Sequence, residues 1–146
     1  MGEERGYRFH EHTADIIIEA WAPTLEALFE EAAKAITEVM TDPARIEPRE
    51  QKILETDGFD LENLLLRFLE EILVLHDSEG MLFRDYKVHR IEKRSDEEYY
   101  VKAEAWGEKY QPGKHESRTH VKAITYALME IKKEGSLWRT RFTIDI

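Results

Sequence analysis

The hydrophobic period of this chain changes at Gly80, and no other feature constrains its fold as much. Before Gly80, apolar residues recur at helical spacing in two segments, residues 25–40 and 61–76. After Gly80, apolar and polar residues alternate, which is typical of strands. This order predicts an α+β domain in which two helices pack on a mostly antiparallel sheet that ends in two C-terminal hairpins.

Capping and turn residues indicate where the elements begin and end. Thr24 and Asp60 are predicted N-caps, and Asp42-Pro43 ends the first helix because the residue before a proline disfavours helical geometry. Each helix is predicted to bury one stripe. The predicted strands cover residues 15–21, 45–56, 82–93, 98–106, 121–131 and 137–145. Pro48 places the second of them at a sheet edge.

Composition limits the classes of partner and of site. The 146 residues fit one domain, 1–146, and 31 acidic against 21 basic residues give a net charge of −10. No direct nucleic-acid binding is expected from so acidic a chain, whereas metal cations and basic proteins fit it. The absence of cysteine excludes disulfides and cysteine-ligated zinc. No apolar run is long enough to span a membrane, so no membrane partner and a cytoplasmic location are expected.

The segment from His10 to Asp15 holds the first candidate ligands. His10 and His12 share a face if the segment is extended, and they either bind zinc or hydrogen-bond the backbone. Asp15 directly precedes the apolar run Ile16–Ile18. A carboxylate beside such a run is costly to bury without a cation or several donors. Asp15 is therefore either a capping residue or a ligand.

The end of the sequence, Ile144-Asp145-Ile146, is the second candidate site. Strand parity places Asp145 on the polar face of the last strand, beside the carboxylate of Ile146. If the first and last predicted strands are neighbours, Asp15 adds a third carboxylate. Three such groups repel one another unless a hard cation such as calcium or magnesium lies between them. The alternative is a solvated, frayed terminus.

A third segment, residues 115–120, contains His115, Ser117 and His120 and is compatible with a hydrolase. The glycine-flanked turn of a serine nucleophile is absent, and catalytic triads are defined by geometry rather than by local spacing. A small metal-dependent hydrolase that uses the terminal carboxylates with His12 or His120 stays open as an alternative.

Taken in order, these residues resemble the archease family. The resemblance is carried by residues 11–15, 20–21 and 24–26, by Lys122-Ala123-Ile124-Thr125-Tyr126, and by Ile144-Asp145-Ile146. It extends over nearly the whole chain and departs from the family at Ala22, where many relatives have glycine.

The resemblance implies a non-enzymatic accessory protein that activates an RtcB-type tRNA-splicing RNA ligase by promoting guanylation and multiple turnover. A chaperone-like effect on a tRNA cytosine methyltransferase is a further implied role. The family's metal site, commonly assigned to calcium, maps onto Asp15, Asp145 and the carboxylate of Ile146. Lys122 and His12 are the candidate residues for activating the partner, although Lys122 is equally compatible with an ordinary strand lysine.

Overall fold

The computed structural model describes residues 4–11 and 14–146, which form two α-helices, seven strands and one short 3₁₀ helix. The elements in chain order are β1 (Gly6–Glu11), β2 (Asp15–Ala22), α1 (Leu25–Met40), the 3₁₀ helix (Pro43–Arg45), β3 (Glu50–Gly58), α2 (Leu61–Glu79), β4 (Met81–Ser95), β5 (Glu98–Lys109), β6 (Ala123–Glu134) and β7 (Leu137–Asp145). The predicted α+β class is confirmed. None of the helices in these residues is long and apolar enough to cross a membrane.

The strands form two antiparallel sheets, and the helices lie between them. One sheet has the strand order β1-β2-β7-β6 and the other has the order β3-β5-β4. Helix α1 contacts β2 of the first sheet and β4 of the second, and α2 contacts β6 and β3 in the same way. The strands are thus divided between two sheets, where the sequence pattern had not separated them. The strand that follows Pro48 lies at a sheet edge, as predicted.

Burial of α1 is wider than the sequence indicated. The prediction of a single buried stripe is wrong for this helix, because twelve of its sixteen residues are buried. The reason is that α1 has a sheet on each side. The rings of Phe29 and Phe68 join the two helices, with their centroids 5.6 Å apart. Glu30 is buried too, and its carboxylate accepts hydrogen bonds from the Val88 N–H at 2.8 Å and from Arg5.

Both predicted N-caps are confirmed. The Thr24 hydroxyl accepts a hydrogen bond from the Ala27 N–H at 3.1 Å, and the Asp60 carboxylate accepts one from the Asn63 N–H at 2.7 Å. These side chains satisfy donors that have no partner within the helix.

Side chains alternate along β7 as predicted. Phe142 and Ile144 are fully buried against the helices, whereas Arg141 and Asp145 are exposed on the opposite face. Thr143 lies on that opposite face and is nevertheless buried. A bulge in the neighbouring strand β6 explains this burial, since the Thr143 hydroxyl donates a hydrogen bond to the Ala127 carbonyl at 2.7 Å.

The polar stretch predicted from residue 107 is shorter than expected, because β5 continues to Lys109 and the loop covers residues 110–122. This loop passes from one sheet to the other across the C-terminal end of α1. The N–H groups of Arg118 and Thr119 donate to the carbonyls of Met40 and Val39, at 3.0 and 3.1 Å. The loop thereby satisfies carbonyls of the last helical turn.

Candidate functional site

The first and last strands of the candidate site are neighbours in the sheet. Strands β2 and β7 pair antiparallel, with Asp15 directly opposite Asp145. The pairing continues past the end of β7, where the Ile146 N–H donates to the Ala14 carbonyl at 3.4 Å. Directly opposed residues of a ladder project their side chains on the same face of the sheet. The structure therefore brings Asp15, Asp145 and the main chain of Ile146 to one end of one face.

The ladder hydrogen bonds show how close the two aspartates are. The Asp145 carbonyl accepts from the Lys122 N–H at 2.8 Å and so faces the β6 side rather than β2. Asp15 and Asp145 are accordingly a non-hydrogen-bonded pair, for which the Cβ atoms lie about 4.5–5.5 Å apart. Two ionised carboxylates at this separation repel each other by about 1 kcal/mol in water and by about 4 kcal/mol near a protein surface. A cation between them removes that cost.

Asp15 lacks the partners that a buried carboxylate requires. Its Oδ1 atom is buried and has no hydrogen-bond partner within residues 4–11 and 14–146. A buried polar atom of this kind calls for an ion or an ordered water. Asp145 is exposed, so the pair is closed on one side and open to solvent on the other. Asp15 is neither a cap nor a turn residue in this fold, and Asp145 is paired on both sides rather than frayed.

The donor set at this end consists of oxygen atoms. Within the described ranges, no group of three or more His, Cys, Asp or Glu side chains could hold a metal. Any third protein ligand beside Asp15 and Asp145 would thus be a main-chain oxygen, such as the carboxylate of Ile146. Such a set fits calcium or magnesium better than zinc.

The histidines of the first segment are not gathered at the carboxylates by the described residues. The ring of His10 contacts the Glu19 carboxylate, with Nε2 and Oε1 3.0 Å apart. His12 lies outside the described residues, so its predicted role in partner activation and the paired-histidine zinc hypothesis stay predictions.

Lys122 is exposed and lies next to the carboxylates through its backbone. It directly precedes β6, and Ala123 pairs with Asp145. The 110–122 loop therefore delivers Lys122 to the end of the sheet that carries Asp15 and Asp145.

A buried ionic cluster that the sequence did not reveal anchors this loop. Glu108 is 2 % exposed, and its carboxylate accepts hydrogen bonds from the Glu47 N–H, the Lys114 ammonium and the His115 ring at 2.8–3.0 Å. The other ring nitrogen of His115 accepts from the Gln111 N–H at 2.9 Å. His115 is buried with both nitrogens engaged, so it serves the structure and is not available as the base of a hydrolase.

Burial raises the pKa of Glu108, but the three hydrogen bonds and the charge of Lys114 lower it more, so that the pKa falls to about 2 from an ordinary 4.5. A depressed carboxyl pKa stabilises the fold above the ordinary pKa, and this contribution is lost as the pH falls towards about 2. We expect Glu108→Gln to lower the free energy of unfolding by about 2–4 kcal/mol at pH 7.

Urea unfolding of both proteins at pH 7, 4.5 and 3 measures this effect. The difference between wild type and Glu108→Gln should shrink below pH 4.5, because the wild type then loses its charged carboxylate. A difference that is constant across this range would contradict the assignment. Glu97→Gln, in the exposed β4–β5 turn, is the control and should change stability by less than about 0.5 kcal/mol.

Comparison with known proteins places this arrangement in a family. Residues 7–146 match the model of the Archease protein family. The chain belongs to the archease family. The archease of Aeropyrum pernix is 48 % identical over 141 residues, which cover 97 % of each chain. The resemblance to archeases inferred from the sequence motifs is confirmed.

Solved archease structures agree with the fold. Protein 1598 of Methanobacterium thermoautotrophicum, determined in solution, superposes with a TM-score of 0.82 at 35 % identity and covers 97 % of this chain and 99 % of its own. The crystal structure of a Thermotoga maritima protein, described as an archease and a possible chaperone, gives a TM-score of 0.58 at 27 % identity, with 94 % of each chain covered. An accessory role of the archease type implies a partner protein on which the chain acts.

Proposed function

We propose that this archease is a non-enzymatic accessory protein that activates an RtcB-type tRNA-splicing RNA ligase, promoting its guanylation and repeated turnover. The observation that carries the proposal is the facing pair of Asp15 and Asp145, with the unpartnered Oδ1 of Asp15, at one open end of the sheet. Family membership supplies the accessory role. The unusual charge arrangement supplies the part of the molecule that would perform it.

A hard divalent cation, calcium in the first instance, fits the oxygen atoms at this end. Asp15, Asp145 and the carboxylate of Ile146 would hold it, and water molecules would complete the shell. The cation would supply a positive charge that neutralises the three carboxylates and that a partner's anionic groups can approach. Asp15 would be the anchoring ligand, since its Oδ1 is already buried, and Asp145 would be the ligand nearest the partner.

The end of the sheet would act by selective binding. An accessory protein shifts a partner between conformations only if it binds one of them more tightly. The exposed Asp145 and Lys122 are placed to make contacts that differ between the guanylation-competent ligase and its other states. His12 is a further candidate for such a contact. The catalytic residues would all belong to the ligase.

A ligation assay at limiting ligase tests the proposal. Purified ligase, tRNA halves and guanosine triphosphate are incubated with and without this protein, and product per ligase is followed with time. We expect product to level off near one per ligase alone and to continue through many turnovers when the protein is added. Equal product in both reactions would overturn the proposal.

The same assay separates the alternatives. Incubation of the protein with divalent ions and phosphoester substrates, without ligase, should give no turnover, whereas a metal-dependent hydrolase would give it. Activity of a tRNA cytosine methyltransferase, measured with and without the protein, tests the second accessory role. That role agrees with the description of the Thermotoga relative as a possible chaperone.

A further inference from the structure

Strand β6 contains a wide bulge three residues from the carboxylate end. Between the pairs Thr125–Thr143 and Glu130–Arg141, β6 has four residues where β7 has one. The bulge forces Leu128 to a φ of +62°, a conformation that is rare for a bulky side chain. Leu128 is nevertheless 57 % exposed. Its strain is therefore not offset by burial of its own side chain, and strain of this kind is concentrated at functional positions.

The bulge is held in place by hydrogen bonds to a buried side chain of α2. The Asn63 carboxamide accepts from the Phe59 N–H at 3.1 Å and donates to the Tyr126 hydroxyl. The hydroxyl of Thr143 holds the Ala127 carbonyl on the other side. Two exposed aromatic residues, Phe59 and Tyr126, are thus tied to one amide, and their fixed backbone lowers the entropy cost of binding a partner.

Phe59, Tyr126 and Leu128 form what we call the apolar patch, with 60 %, 49 % and 57 % of each residue exposed. Acidic side chains surround it in sequence and in space. They are Asp57 and Asp60 on either side of Phe59, Glu62, whose carboxylate accepts from the Ile131 N–H, and Glu130 after the bulge. Aromatic and aliphatic side chains exposed together, with a polar rim, mark protein-interaction sites. The rim fits a partner surface that combines apolar and basic residues.

The position of the apolar patch indicates which partner covers it. Ala123 of β6 pairs with Asp145, and the bulge begins three residues later, about 10 Å along the strand. A protein that covers the two carboxylates therefore also reaches the patch. A second copy of this chain fits poorly, because a two-fold contact would bring the acidic rims together in a molecule of net charge −10.

We infer that the apolar patch is a second docking contact for the ligase, which gives affinity while the carboxylate end gives activation. The inference rests on the proposed function, since the same ligase contacts both sites. It assigns to the ligase an apolar surface with basic residues beside its contact with Asp145. The two contacts should then separate experimentally into the concentration of archease required and the maximal activation reached.

Leu128→Gly is the decisive variant. Glycine adopts the positive φ without strain, so the variant removes the side chain while leaving the melting temperature equal to or above that of the wild type. We expect the archease concentration for half-maximal ligase activation to rise at least about ten-fold, with the same plateau. Phe59→Ala should act in the same direction. Ile53→Ala, on the outer face of the other sheet and 54 % exposed, is the matched control and should behave as wild type.

Three outcomes decide the inference. A ten-fold shift for Leu128→Gly, with an unchanged melting temperature and an unaffected Ile53→Ala, supports it. A wild-type concentration dependence for Leu128→Gly and Phe59→Ala overturns it while leaving the proposed function intact. If sedimentation shows that wild type is a dimer and that Leu128→Gly is a monomer, the patch contacts a second copy and the inference is wrong. Failure of the wild type to activate the ligase at any concentration would instead remove the proposed function.

Discussion

Asp145→Ala should abolish activation of the ligase and the calcium-dependent rise in melting temperature together. The variant removes one of the two facing carboxylates and leaves Asp15 as a single side-chain ligand. Changes that only affect residues behind a metal ligand already weaken metal binding about 10–100-fold, so loss of a ligand should exceed this range. Because Asp145 is exposed, its removal leaves no cavity and the fold should persist.

The sign of the stability change distinguishes a metal site from a structural role. Without calcium, Asp145→Ala should be as stable as the wild type or up to about 1 kcal/mol more stable, because a like-charge pair is removed. With calcium at 100 times the dissociation constant, the wild type should gain about 2.7 kcal/mol, a rise of roughly 5–10 °C, and the variant should gain little.

Differential scanning calorimetry with chelator and with calcium, alongside the ligation assay, measures both effects. Asp85→Ala, on edge strand β4 of the other sheet with its side chain 52 % exposed, should keep calcium stabilisation and activation. Multiple turnover by a ligase supplied with Asp145→Ala would show that activation does not use the carboxylate end. Calcium stabilisation of Asp145→Ala equal to that of the wild type would show that the cation binds elsewhere.

Gly107→Ala should produce the largest loss of stability of any single methyl addition considered for this chain. Gly107 lies in β5 opposite Phe83, and a Cβ at Gly107 would lie 1.8 Å from the Leu82 carbonyl oxygen and 2.7 Å from the Phe83 Cα. Both contacts are with the backbone of β4, which cannot turn aside as a side chain can. The two strands would have to separate in a buried region, at a cost of at least about 3 kcal/mol.

Guanidinium chloride unfolding at 25 °C tests this expectation. Gly113→Ala is the control, because Gly113 has open space around it and a φ of +87°, so the substitution costs about 1 kcal/mol through backbone conformation alone. If Gly107→Ala lost no more stability than Gly113→Ala, β4 and β5 would not approach as closely as described.

Local signals in the sequence were sufficient for most of the secondary structure. Side chains that cap a helix act within three residues, so Thr24 and Asp60 could be identified without any knowledge of the fold. The alternation along β7 depends only on the two-residue period of a strand, and it placed Asp145 on the exposed face correctly.

Contacts between distant segments could not be predicted in this way. The wide burial of α1 arises from the sheets on both of its sides, and helical periodicity carries no count of neighbouring layers. The cluster around Glu108 joins residues 47, 108, 114 and 115, whose local pattern resembles an ordinary polar loop. The β6 bulge was missed because its four residues have no glycine or proline to mark them.

The sequence by itself determined the α+β class, the helix starts, the polar face of β7 and, through its motifs, membership of the archease family. Only the tertiary structure decided that β2 and β7 are neighbours and that Asp15 stands opposite Asp145 in register. The physical reason is that periodicity specifies which face of a strand is buried, whereas strand order depends on how the two sheets close around both helices. The two carboxylates are 130 positions apart in sequence, and that packing alone makes them adjacent.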